Sequence, residues 1–171
     1  MNSDPPKDPP GDGTNPFSDP GAHAPPADLD YELVRLIGRG AYGDVWLVRD
    51  RSGDYFACKV VYRESFSNAR PYEREYEGIQ KFEPVSRSNE SQVKILHTGR
   101  RDVAGYFFYI MELADDVQSV TAFDPATYVP KTLKSEIEFR KKLPPDECIQ
   151  LGLSLAAALD NLHQHGLIHR D

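Results

Sequence analysis

The sequence predicts an α+β fold: a five-stranded antiparallel sheet with one helix, followed by further helices. Three observations predict it. Strand-like segments between Tyr31 and Val61 are joined by a glycine turn and a hairpin turn. A charged, amphipathic segment occupies Arg70–Phe82, and a segment apolar on several sides runs from Glu147 to His165.

Residues 1–30 stand apart from this pattern. They hold 8 of the 14 prolines, 3 of the 12 glycines and six aspartates against one lysine, which is −5 of the formal charge of −7. Phe17 is their only aromatic residue. Such a stretch buries too little apolar surface to offset its ordering entropy, so a disordered acidic tail is expected. Order should begin near Leu29–Tyr31. The expected division is a tail over 1–30, a sheet-rich unit over 31–113, and a connecting loop with the first helices of a helical unit over 114–171.

Tyr31–Ile37 alternates and is rich in β-formers, so it reads as a strand. Gly38-Arg39-Gly40-Ala41-Tyr42-Gly43 is a glycine-dense turn, and Asp44–Arg49 is a second strand. Arg51-Ser52-Gly53-Asp54 is a hairpin turn leading to a third strand, Tyr55–Val61. Pro71 suits the first turn of the Arg70–Phe82 helix. Val93–Leu96 and Tyr106–Leu113 read as two more strands. Ala114–Lys134, interrupted by Pro125 and Pro130, reads as a loop. Lys134–Lys142 reads as a short charged helix, and Gly166 takes the C-terminal position of the long one.

Composition excludes several classes. A pI near 5.2 opposes a strongly basic nucleic-acid binder. Two cysteines, Cys58 and Cys148, make no disulfide framework. The start lacks the apolar core of a signal peptide. The run from Ile149 to Leu162 is interrupted by polar residues and is shorter than the ~20 apolar residues a bilayer needs. A soluble, cytoplasmic protein is expected.

The glycine turn has two chemical readings. Glycines let a backbone approach phosphates and offer its N–H groups. In a dinucleotide-binding fold such a loop opens a helix, whereas Asp44-Val45-Trp46-Leu47-Val48 is a strand. The context favours a glycine-rich β-hairpin. Sixteen residues after Gly43, Lys59 stands inside an apolar strand, where an ammonium without a partner is costly. Glu73, Glu75 and Glu77 on the following helix are candidate partners. Charge alone leaves the three equivalent. His163, His165 and His169 have no accompanying ligand set, and no metal site is expected there.

Gly-x-Gly-x-x-Gly-x-Val over Gly38–Val45, Ala57-Cys58-Lys59 on the third strand, and His169-Arg170-Asp171 after the long helix occur in this order. In these motifs the chain resembles the eukaryotic-type protein kinase family, with a texture like its bacterial Ser/Thr members. The resemblance covers Tyr31–Asp171, roughly the first half of a kinase domain: the N-lobe, the hinge and the start of the helical C-lobe.

The resemblance implies ATP and a protein substrate bearing a Ser/Thr hydroxyl. ATP would lie under Ile37, Gly38, Arg39, Gly40, Ala41, Tyr42, Gly43, Asp44 and Val45. It would also meet Ala57 and Lys59 of the third strand, and Met111, Glu112 and Ala114 of the hinge. The family's helical glutamate precedes apolar contacts to the sheet, which implies Glu75, before Ile79 and Phe82, with Glu73 as the fallback; Lys59, tethered by it, would hold the α- and β-phosphates, and Asp171 would orient the substrate hydroxyl. The same resemblance implies Mg2+ for a complete domain, on an asparagine and an Asp-Phe-Gly that do not occur after Asp171 here. A polypeptide of these 171 residues is therefore expected to be inactive alone, with an exposed, sticky long helix. The alternative is a non-catalytic nucleotide-binding or protein-interaction module.

Overall fold

The computed structural model describes His23, Pro26 and residues 29–118 and 123–169. The tail expected over 1–30 falls for the most part outside the described residues, as do Arg170 and Asp171.

Five strands form one antiparallel sheet: β1 (Glu32–Gly40), β2 (Gly43–Arg49), β3 (Tyr55–Tyr62), β4 (Ile95–Arg101) and β5 (Tyr106–Met111). Their order is β1-β2-β3-β5-β4. Only Ala41 and Tyr42 separate the paired Gly40 and Gly43, so the glycine turn is a tight hairpin. The sheet divides its side chains by alternation. One face buries Trp46, Val48, Cys58, Val60, Tyr106, Phe108 and Ile110, with Leu29, Tyr31, Leu33 and Leu36 packed against them. The other buries Val61, Phe107 and Tyr109 against Tyr72 of the first helix, α1 (Ala69–Ser86). Full burial of a side chain such as Phe107 contributes ~2 kcal/mol. The dry first face also pushes the Cys58 thiol up to about 12, because burial disfavours a thiolate.

Asn68 caps α1 by accepting the Arg70 N–H at 3.2 Å. The helix runs four residues beyond the expected Phe82 and contains Pro84 near its end. Ser86 then holds the next connection: its hydroxyl accepts the Ile95 N–H at 2.9 Å and donates to the Glu83 carbonyl at 2.7 Å. Strand β4 is the clearest correction of element position. The expected Val93–Leu96 covers only its start, since the strand continues to Arg101. Its polar half is stabilised by contacts that apolar alternation does not reveal: Arg100 lies over Tyr72 and Tyr76, and Arg101 over Phe108.

Helix α2 (Leu133–Arg140) opens on a Thr132/Ser135 capping box and ends at Lys141, whose φ is 66°. Helix α3 (Pro145–Gln164) ends at Gly166 with φ 70°, the left-handed conformation glycine adopts without a Cβ penalty. A hydrogen bond of 2.9 Å from the Gln92 side chain to the Ala158 carbonyl joins α3 to the α1–β4 connection. Leu162 is buried, but Leu153 and Leu155 are each 60% exposed, and Ile149, Leu151 and Leu159 are exposed too. The expected apolar surface of this helix is therefore present. Among the described residues, no helix is long and apolar enough to cross a membrane.

Two segments depart from the expected connections. His23 stacks on Tyr62 with ring centroids 4.0 Å apart, and Pro26 is buried, so contacts with the sheet precede Leu29. The expected loop after Ala114 folds back on itself. Asp116 bridges Pro130, the Val117 N–H meets the Val129 carbonyl at 2.9 Å, and Tyr128 is fully buried.

Candidate functional site

Strand register assembles the predicted residues on the face toward α1. Gly38 pairs with Val45, Val45 with Lys59, and Lys59 with Tyr109, forming one row across four strands. Ala57 pairs with Met111 one step along. Directly opposed residues share a face, and Ala57, Lys59 and Val61 alternate onto the same one. Val45, Ala57, Lys59 and Met111, predicted from separate motifs, thus meet in one patch.

Asp44 lies on the other face. It is 3% exposed, and one carboxylate oxygen stands 3.4 Å from Nδ1 of His23. Its expected place among the nucleotide contacts does not hold for the side chain. Alternation is the reason: Asp44 shares the parity of Trp46, not of Val45.

The glycine turn is fixed by close approach. A Cβ on Gly43 would stand 1.8 Å from the Val60 carbonyl oxygen, so only glycine lets β2 begin this near β3. At the tip, Tyr42 stacks on Phe66 with centroids 4.6 Å apart and planes 11° apart, and its carbonyl accepts the Tyr62 N–H at 3.2 Å. Arg39, Gly40, Ala41 and Tyr42 are exposed, while Ile37 is half-buried.

The expected tether between Lys59 and Glu75 is not formed: no ion pair joins them. The Lys59 ammonium lies 5.9 Å from the centroid of the Tyr109 ring, within cation–π range. Burial holds the Tyr109 hydroxyl above its ordinary pKa, and the Glu75 charge adds to the rise. Both expected partners therefore act on Tyr109 without forming an ion pair with each other.

Of the three candidate carboxylates, the one that forms an ion pair is Glu73. It takes two hydrogen bonds from Arg100, of 2.5 and 2.8 Å. Arg100 also meets Asp102 at 2.5 Å and stands 5.5 Å and 5.2 Å from the Tyr72 and Tyr76 centroids. These contacts set the rotation of α1 from the β4 side. The family resemblance points to Glu75 first because it carries no information about the Arg100 side chain on β4.

The bidentate Arg100 contact holds the Glu73 carboxyl below its ordinary value of 4.5. A depressed carboxyl stabilises the fold above the unfolded value, and the effect is lost as pH falls through the folded one. Glu73→Gln should therefore melt below the wild type at neutral pH, with the gap closing below pH ~4.5. Thermal unfolding across pH 3–7 checks this; a gap that ignores pH would contradict it.

At the far end of β5, the Glu112 N–H donates to the Lys94 carbonyl at 3.2 Å, and its carboxylate accepts the Lys94 N–H at 3.1 Å. The Ala114 carbonyl accepts the Tyr128 hydroxyl at 3.0 Å. Tyr128 is the residue sequence reasoning missed; its position between Pro125 and Pro130 in a proline-interrupted stretch resembled loop. Asp171, the expected hydroxyl-orienting carboxylate, lies outside the described residues, and His169 just before it is exposed. Among the described residues, no cluster of three His, Cys, Asp or Glu side chains is arranged to hold a metal ion.

Comparison with known proteins gives a consistent result. The family described as "Protein kinase domain" matches residues 31–171. A probable serine/threonine-protein kinase of Clostridium perfringens is 28% identical over 145 residues, covering 82% of this chain and 18% of that protein. The human serine/threonine-protein kinase greatwall is 24% identical over 147 residues, covering 86% of this chain and 15% of greatwall. The chain thus spans less than a fifth of these curated relatives. Among solved structures, the Mycobacterium tuberculosis PknI kinase domain superposes with a TM-score of 0.59 at 24% identity. It covers 83% of this chain and 51% of its own length, which is a likeness of fold.

Proposed function

This chain belongs to the protein kinase domain family, and on that premise we propose that it binds ATP on the α1 face of the sheet for transfer of the γ-phosphoryl group to a Ser/Thr hydroxyl of a protein. The observation that carries this reading is the single patch formed by Val45, Ala57, Lys59 and Met111 beside the glycine hairpin. Val45 and Ala57 would cover the adenine, and Met111 would back it. The Glu112 N–H and the Ala114 carbonyl are already bonded within the chain. The Glu112 carbonyl and Ala114 N–H remain for the base edge. The ammonium of Lys59 would neutralise phosphate charge, and Asp171 would accept or orient the hydroxyl proton of the substrate. Magnesium, when bound in this family, screens the charge that develops on the phosphates.

A second reading, nucleotide binding without catalysis, is favoured by one observation: among the described residues, no carboxylate forms an ion pair with Lys59. Phosphoryl transfer depends on a fixed arrangement at the phosphates, and a lysine resting on a ring is less constrained than one in an ion pair.

Transfer of labelled γ-phosphate to a mixed Ser/Thr protein substrate by a protein carrying this chain within a complete kinase domain, measured beside ATP binding, separates the readings. Binding with transfer supports the kinase reading. Binding without transfer supports the second, and no ATP binding contradicts both.

A further inference from the structure

We propose that Tyr128 is a positioning residue for the nucleotide base. Through Ala114 it sets the backbone the adenine would meet, and Arg35 ties that setting to the strand leading into the glycine turn. The proposal rests on the ATP reading above.

Tyr128 is 1% exposed, and its hydroxyl donates to the Ala114 carbonyl at 3.0 Å. Its ring lies against Phe123, with centroids 5.5 Å apart, and Phe123 packs on Tyr55 of β3 at 5.0 Å. A buried phenol needs a partner for its hydroxyl, whereas phenylalanine would satisfy the packing alone. The hydroxyl here reaches backbone at the end of the Glu112–Ala114 segment, one α-carbon from the Ala114 N–H. The other end is held by the Glu112 N–H on the Lys94 carbonyl. Three residues are thus fixed at both ends, with an acceptor and a donor between them. Groups fixed before binding lose less entropy when the ligand arrives.

Arg35 extends this device to β1. Its Nε donates to the Pro125 carbonyl at 2.9 Å, and its Nη2 donates to the Tyr128 carbonyl. The Lys131 N–H on the Asp115 carbonyl, at 2.7 Å, closes the returning segment against the hinge. The strand above the base and the backbone beside it are thereby joined through one returning loop.

Adenosine titration of the wild type and Tyr128→Phe tests this. Loss of the hydroxyl should weaken adenosine binding about fivefold. In the phosphoryl-transfer assay it should raise the KM for ATP far more than it lowers kcat. Arg35→Met should shift adenosine affinity in the same direction, and it carries the test if Tyr128→Phe does not fold. Unchanged adenosine affinity in both variants would overturn the proposal. So would a fall in kcat with KM unchanged, which is the signature of a smaller folded fraction. Failure of the wild type to bind adenosine would instead overturn the ATP reading, and this proposal with it.

Discussion

In a protein carrying the complete kinase domain, Lys59→Met is expected to lower phosphoryl transfer by roughly 10²–10³-fold, the size of effect seen when one charge-stabilising group is removed from a transferring centre. The fold should survive. Lys59 lies mid-strand between Val45 and Tyr109, in surroundings that a methionine of similar length fills without leaving a polar group unpaired. The loss should therefore appear in transfer rate and not in melting temperature. Loss is also expected to exceed that of Glu75→Gln, because Glu75 makes no ion pair with the lysine here. Steady-state transfer rates and thermal unfolding of both variants check this. Activity of Lys59→Met within a few fold of wild type would remove Lys59 from the phosphates.

Adding one methyl group at two different glycines should act in opposite directions. At Gly43 the new Cβ meets the Val60 carbonyl oxygen at 1.8 Å and the Val61 Cα at 3.0 Å, all backbone atoms with no flexible end to move aside. Overpacking of this kind costs about 3 kcal/mol, which lowers Tm by roughly 6–12 °C in a chain of this size. The hairpin would have to separate from β3 at the point where the glycine turn begins, so nucleotide affinity should fall as well. Gly78 sits inside α1 with nothing within 4 Å of its Cβ position. Gly78→Ala gains helix propensity and should stabilise by about 1 kcal/mol. Melting curves of the two variants check the pair; a Gly43→Ala protein as stable as wild type would contradict the close approach of β2 and β3.

Much of the sheet was legible because its first three strands are local in sequence and separated by turns with strong chemistry. Gly53 in the hairpin and Gly166 after the long helix both take positive φ, as turn and C-terminal positions ask. The lysine strand and the hinge strand were legible for the same reason, being short apolar runs between turns. What stayed hidden depends on distant residues. Which of the candidate carboxylates Glu73, Glu75 and Glu77 forms an ion pair is decided by Arg100, which lies on β4 and looks in sequence like a solvent-facing charge. Asp44 stands beside the last glycine of the turn in sequence, yet strand alternation turns its side chain to the opposite face. The buried role of Tyr128 depends on Arg35, far away in the chain, and on a carbonyl that no residue pattern marks. The exposed face of α3, in contrast, was readable from composition alone, because a helix apolar on several sides needs more neighbours than the preceding residues provide.

The central claim is that the Lys59 ammonium lies at the phosphates of bound ATP. An ATP analogue with an acyl group on its terminal phosphate tests it most directly. A nearby lysine amine attacks the acyl carbon, the nucleotide leaves as its phosphate, and the lysine keeps the acyl group as an amide. Mass spectrometry of the digested protein should find the label on Lys59, and excess ATP should suppress it. Labelling confined to other lysines such as Lys81 or Lys94, or labelling of Lys59 that ATP does not suppress, would contradict the account.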